Sequence, residues 1–221
     1  MTMMKSYVTE LVFILDKSGS MAGLETDTIG GFNAMLKKQK NAVGEAFVTT
    51  VLFNHDYELL HDRINIRGIS LLTEEDYEVG GTTALLDAIG FTIQKMINVQ
   101  KRTSERERAE KVLFVITTDG MENASQEYGA DQIKKMIQHQ KEKYDWEFMF
   151  LGANIDAVST AKRFGISEDY AVDYHADQVG TQLNYEVLNE VVMNVRSGKK
   201  IDRSWKKGIE SDYKKRSFTR P

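Results

Sequence analysis

Three short polar clusters carry the side chains best able to do chemistry in this 221-residue chain. Asp16-Lys17-Ser18-Gly19-Ser20 follows the apolar run Leu11–Leu15. Gly80-Gly81-Thr82-Thr83 opens a helical pattern at Ala84, and Thr117-Thr118-Asp119-Gly120 follows the apolar run Val112–Ile116. Together they offer two carboxylates and three hydroxyls, all hard oxygen donors, with no imidazole and no thiolate. Such a set selects Mg²⁺, Mn²⁺ or Ca²⁺ over zinc or copper. Two aspartates only neutralise a divalent cation, whereas high-affinity calcium cages add further carboxylates. The hydroxyls supply geometry without charge, so the ion keeps its attraction for one more anionic oxygen. The expectation is a metal site that the Asp or Glu of a protein partner completes.

Positioning such a site needs a particular frame. Leu11–Leu15, Val112–Ile116 and Phe148–Leu151 are short continuous apolar runs, the pattern of strands buried on both faces of a parallel sheet. Between them lie helical stripes: Ile29, Phe32, Leu36; Leu85, Ala88, Ile89, Ile93, Met96, Ile97; Ile133, Met136, Ile137, Tyr144; and Val179, Leu183, Val187, Val191, Val195. Strands alternating with amphipathic helices predict an α/β fold with a doubly wound, mostly parallel sheet and helices on both faces. Ala46–Phe53 and Tyr57–Ile66 are separated only by Asn54-His55-Asp56, too short for a crossover, which predicts one antiparallel hairpin at a sheet edge. Tyr170–His175 is expected as the last strand, and the charged Lys101–Lys111 as a solvated helix end and loop. Ligands of open α/β sheets bind beyond the carboxyl ends of the strands, where strand order reverses. With the first and fourth strands adjacent there, Asp16 and Asp119 face one crevice and the threonine loop closes it.

Asp-x-Ser-x-Ser alone would arise by chance in about one chain in twenty of this length. Its specificity comes from its context: a buried strand before it, Gly-Gly-Thr-Thr before a helix, and Thr-Asp-Gly after a second buried strand. In that arrangement the sequence resembles the von Willebrand factor type A domain, the fold also found as the integrin I domain, over about Ser6 to Val195. The resemblance implies a Rossmann-like fold and a metal-ion-dependent adhesion site formed by Asp16, Ser18, Ser20, Thr83 and Asp119. It also favours Thr83 over Thr82, because Thr83-Ala84-Leu85-Leu86-Asp87-Ala88 keeps the register of the family's Gly-Gly-Thr-Ala-Leu-x-Asp-Ala. In the family the two serines ligate the metal directly, and Asp16 and one of Thr83 or Asp119 can act through water. The short Asp-Lys-Ser-Gly-Ser-Met form is similar to stand-alone bacterial members, which often work beside AAA+ ATPases or in stress-response gene clusters.

Length and composition fit one domain with an appendage: residues 1–195, then a basic extension over 196–221. The extension carries +7 and the body −11. A solvated terminal helix or arm that folds back onto the acidic body is the expected state of the extension, and nucleic acid is not an expected partner, because no aromatic-studded recognition motif accompanies the charge. With no cysteine, disulfides, thiolate metal sites and cysteine nucleophiles are excluded. Glu10 interrupts the first apolar run, and no stretch is long enough to span a bilayer, so a soluble cytoplasmic protein is expected. An enzyme reading would make Asp16 the nucleophile of a Mg²⁺-dependent phosphohydrolase. Such phosphatases need a second Asp two residues on, where this chain has Ser18, so a binding module rather than an enzyme is expected. A scaffold using its basic tail on nucleic acid or an anionic surface is the other alternative. Met21, Glu122 and Asn123 are expected on the rim that selects a partner, Asn154 and Asp156 as loop hydrogen-bonders, and the four histidines in no site.

Overall fold

The computed structural model describes residues 8–217. Six strands form one sheet: β1 (Val8–Asp16), β2 (Glu45–Phe53), β3 (Tyr57–Asn65), β4 (Lys111–Thr118), β5 (Glu147–Ala153) and β6 (Ala171–Tyr174). Their order is β3-β2-β1-β4-β5-β6, and every pair is parallel except β2–β3. The expected doubly wound sheet with one antiparallel edge hairpin is therefore present. Strand order reverses between β1 and β4, which pair directly, with Leu15 opposite Thr117.

The apolar runs alternate between two cores. Leu11, Phe13, Leu15, Leu113, Val115, Met149 and Leu151 face α1 (Glu25–Lys40) and α5 (Gln178–Arg196). Val12, Ile14, Val112, Phe114, Ile116, Phe148 and Phe150 face α2 (Leu85–Arg102), α3 (Ala130–Tyr144) and the short α4 (Ala157–Arg163). A strand covered on both sides has no polar face to show, which is why these runs are unbroken. Glu10 is the exception: fully buried, it accepts a hydrogen bond of 2.7 Å from Arg63 Nε. Val179, placed in the α5 stripe by its spacing, is exposed, while Val191 and Val195 of that stripe are buried together with Leu188 and Val192.

Local capping fixes where helices begin. Asp177 accepts the Gly180 N–H at the start of α5, and Asp156 accepts the Ser159 N–H at the start of α4. At its other end α5 is held by Arg196, which is buried and donates to the Gln39 carbonyl, Gln39 Oε1 and the carbonyls of Ala42 and Gly44. The basic segment that follows folds back. Trp205 Nε1 donates to the Asp169 carbonyl, and Lys206 Nζ donates to the carbonyls of Glu168 and Ala171. In α6 (Lys207–Ser217) Ile209 is buried, Tyr213 stacks on His175, and Arg216 bonds Asp177 and Asp212. Those cations are engaged with the body's own acceptors. Arg220 and Pro221 lie outside the described residues. No helix among the described residues is long and apolar enough to cross a membrane.

Candidate metal centre

Asp16 ends β1, and Asp119 immediately follows β4, so parallel pairing brings both carboxylates out on neighbouring strands at the carboxyl edge of the sheet. Both oxygens of Asp16 are engaged: the Ser18 N–H donates to Oδ1 at 2.7 Å, and the Thr118 hydroxyl donates to Oδ2 at 2.5 Å. The buried Tyr77 hydroxyl donates to the Asp16 carbonyl from below. Ser20 Oγ donates to Asp119 Oδ1 at 2.5 Å and stands 3.2 Å from Ser18 Oγ. Asp119 Oδ2 is buried and has no hydrogen-bond partner.

The threonine loop reaches the same place. Thr83 is buried while Thr82 is exposed, so Thr83 is the residue turned inward. The position a Cβ on Gly120 would occupy lies 2.9 Å from Ser20 Oγ, 3.1 Å from Thr83 Oγ1 and 3.7 Å from Ser18 Oγ. Three hydroxyls from two distant loops thus converge on one point that only a glycine at 120 leaves open. The convergence is held by backbone. The Gly19 N–H donates to the Gly81 carbonyl at 3.0 Å, and the Gly80 N–H donates to the Lys17 carbonyl at 2.9 Å. Gly81 has φ +77°, and a Cβ there would lie 2.2 Å from His55 Nδ1, so the turn needs a glycine for both reasons.

Several positioning residues lie outside the five assigned donors. Asn54, at the end of β2, donates to the Gly80 carbonyl and accepts the Ala84 N–H on its own carbonyl, tying the hairpin to the loop. Thr118 orients Asp16. Tyr77 is 61 positions away from Asp16 in sequence, a separation no spacing rule could have found. Of the rim expected at Met21, Glu122 and Asn123, Asn123 is exposed beside Thr83, Glu122 is half-buried, and Met21 does not reach the surface. Met21 is buried in the core. Asn123 Oδ1 accepts the Thr83 N–H, and Glu122 accepts the Leu86 N–H, supplying the cap that the first turn of α2 lacks. Adjacency in sequence gave their neighbourhood but not their direction. Met121 is exposed as well, with 73% of its surface open. Asp156 is a helix cap, as a loop hydrogen-bonder should be.

Electrostatics favour a cation. Burial raises the Asp16 carboxyl above its ordinary range, against the Ser18 and Thr118 hydrogen bonds that lower it. Burial also raises Asp119, with the Asp16 charge adding to the effect and Ser20 opposing it. Two buried carboxylates near each other, with no Lys or Arg among the causes of their shifts, are the situation a divalent ion relieves. No group of three or more His, Cys, Asp or Glu among the described residues forms a metal cluster. A site here must rely on hydroxyls, and the orphaned Asp119 Oδ2 together with the open point at Gly120 fits a hard cation.

No protein-family model matches the sequence, and no curated protein matches it. Solved structures do. The proximal thread matrix protein 1 of the mussel byssus, in a structure with a zinc-occupied MIDAS motif, is 10% identical with a TM-score of 0.59, over 85% of this chain and 48% of that one. The von Willebrand factor domain of the type V pilus tip protein Mfa5 from Porphyromonas gingivalis is 10% identical with a TM-score of 0.61, over 89% and 98%. The ArnB paralog VWA2 from Sulfolobus acidocaldarius is 18% identical with a TM-score of 0.53, over 84% and 45%. This chain spans about half the length of the mussel and archaeal chains it matches. The fold is that of the von Willebrand factor type A domain.

Proposed function

We propose that this domain is a divalent-metal-dependent protein-binding module whose ion is held by Asp16, Ser18, Ser20, Thr83 and Asp119. The observation that carries the reading is the convergence of three hydroxyls on the point beside Gly120, next to a buried carboxylate oxygen without a partner. Bound there, Mg²⁺ or a similar ion offers an electrophilic coordination position to an incoming carboxylate oxygen. The chain's own residues do the rest. Thr118 and the Ser18 N–H keep Asp16 oriented, Ser20 keeps Asp119 turned inward, and the bonded 17–19 and 80–81 turns hold Thr83 in place. Ser20 alone of the five is exposed, so it marks the mouth through which an Asp or Glu of a partner enters. Two neutralising carboxylates and three neutral hydroxyls leave that partner acid as the missing anion. Binding is favoured over catalysis because Ser18 stands where a phosphatase of this layout needs its second carboxyl. A zinc-occupied site of this type in the mussel protein, on the same fold, supports the assignment.

Thermal melts with and without Mg²⁺ test it. At about a hundred times the dissociation constant, a ligand specific to the folded state adds about 2.7 kcal/mol, or roughly 5–10 °C for a domain of this size. Wild type is expected to gain that increment and Asp119→Asn to lose it. Equal increments in both proteins would overturn the assignment.

A further inference from the structure

Acids surround the mouth of the candidate metal centre. The loops that form it, residues 17–24, 54–56, 77–84, 119–129 and 154–156, carry six Asp or Glu and one Lys. That lysine is already engaged, because Lys17 Nζ bonds Glu58 at 2.5 Å. Asp56, Glu78, Glu127 and Asp156 are exposed. Asp16 and Asp119 balance a divalent ion by themselves, so the rim keeps its negative potential when the ion is bound. A lone carboxylate approaching the mouth is attracted by the metal and repelled by the rim. One carried among Lys and Arg is attracted by both. The chemistry asked of a partner is therefore an exposed acid flanked by cations.

The chain itself presents such a segment at the other pole. Lys101-Arg102-Thr103-Ser104-Glu105-Arg106-Glu107-Arg108 runs from the last turn of α2 into the loop before β4, and all of it but Thr103 is exposed. The Glu107 N–H donates to the Ser104 carbonyl at 3.0 Å, closing a tight turn with Glu105 and Arg106 at its corners. Ser104 Oγ donates to the Glu107 carboxylate at 3.0 Å, and Arg108 Nη2 donates to the Thr103 carbonyl at 3.2 Å, so the turn is braced from both sides. The Glu105 carboxylate has no hydrogen bond or ion pair among the described residues. It cannot serve its own metal centre, because the eight residues of β4 separate the two poles by about 25 Å. A second copy has no such limit. We propose that Glu105 of a second copy of this chain completes the coordination of the ion held by Asp16, Ser18, Ser20, Thr83 and Asp119, with that copy's Arg102 and Arg106 set against the acidic rim. The inference rests on the metal-binding reading above. Tip and mouth lie at opposite poles, so the contact is heterologous. Each copy that docks leaves its own mouth open for the next, which gives open chains or a closed ring.

Sedimentation velocity of the full chain at rising concentration, in Mg²⁺ and in EDTA, tests this beside the Mg²⁺ melts of the same protein. In Mg²⁺ the mean mass is expected to climb past two copies, with a dissociation constant near or below about 1 mM, and to return to one copy in EDTA. Glu105→Gln is expected to weaken association about tenfold or more, and Glu107→Gln by less than about twofold. Asp119→Asn should not associate with itself. A mixture of Asp119→Asn and Glu105→Gln offers one sound tip to one sound mouth, so it should form dimers and stop there. A melting increment in Mg²⁺ with single-copy mass at every concentration would overturn this inference and leave the metal-binding reading standing, whereas no increment would remove both. Association that persists in EDTA, or that Glu105→Gln leaves unchanged, would also overturn it.

Discussion

The two poles of the sheet solve opposite problems with the same kind of part. At the carboxyl pole, loops from residues 16–20, 80–83 and 118–125 hydrogen-bond one another so thoroughly that, of the two carboxylates and three hydroxyls assigned there, Asp119 Oδ2 alone is buried without a partner. At the amino pole Gln100, Gln140 and Arg196 each keep an unpartnered buried nitrogen or oxygen, and the charge that gathers there is positive. The carboxyl pole gathers oxygen donors, two of them carboxylates, and the amino pole gathers cations. The side chains at each pole are opposite in charge to the helix ends there: partly positive helix N-termini surround the carboxylates, and partly negative helix C-termini meet the cations.

Three changes would break or sharpen this contrast. The largest effect is expected at the amino pole, where Arg196→Met removes a cation that holds four oxygens at once. Bonds to a charged donor are worth about 1.5–3 kcal/mol each and are not additive, so a loss of about 3 kcal/mol is expected in urea unfolding. The Mg²⁺ increment should survive, since the damage lies at the far end of α5; its disappearance would show the poles to be coupled. Gly120→Ala comes next. The added methyl intrudes on Ser20 and Thr83, so metal affinity should fall about tenfold or more, measured by calorimetry, while stability without metal changes little. Unchanged affinity would mean the three hydroxyls do not share a ligand.

The smallest effect concerns Glu10, in the middle of the sheet. Burial raises its carboxyl above the usual value, and the Arg63 hydrogen bond and charge offset this only in part. A raised folded-state value favours the neutral acid, so the contribution to stability is fully present below the ordinary carboxylate range and is lost as pH rises through the raised value. Glu10→Gln should therefore gain on wild type as pH goes from 4 to 7, by less than about 1 kcal/mol at neutrality. A variant that instead loses ground over that interval would show that the Arg63 pairing outweighs burial.

Legibility followed the strength of local pattern. β1, β4 and β5 read directly from their apolar runs because both faces are covered, and the hairpin read from the brevity of Asn54-His55-Asp56. α4 escaped because its buried residues are Ala157 and Ala161, too small to draw a stripe. α6 was legible only as a terminal helix or arm without bounds, because Ile209 is its one buried residue among charges. Around the candidate site, Asp16, Ser18, Ser20, Thr83 and Asp119 are brought together as their contexts suggested. Tyr77 acts through a hydrogen bond across a long separation, and nothing in its neighbours marks it; Thr118 and Asn54 stood in clusters the sequence picked out, but their distant partners were not legible. Glu122 and Asn123 were visible, but their orientation was not.

The sequence by itself determined which atoms can bind and where the chain must turn, because donor type, glycine placement and apolar periodicity are properties of residues and their near neighbours. Tertiary structure alone decided that the Tyr77 hydroxyl reaches the Asp16 carbonyl, that Met121 rather than Met21 faces solvent, and that Arg196 closes on the carbonyls of Gln39, Ala42 and Gly44. Each of those outcomes depends on which strands lie side by side and how their loops bond, and that is fixed by packing between segments tens of residues apart.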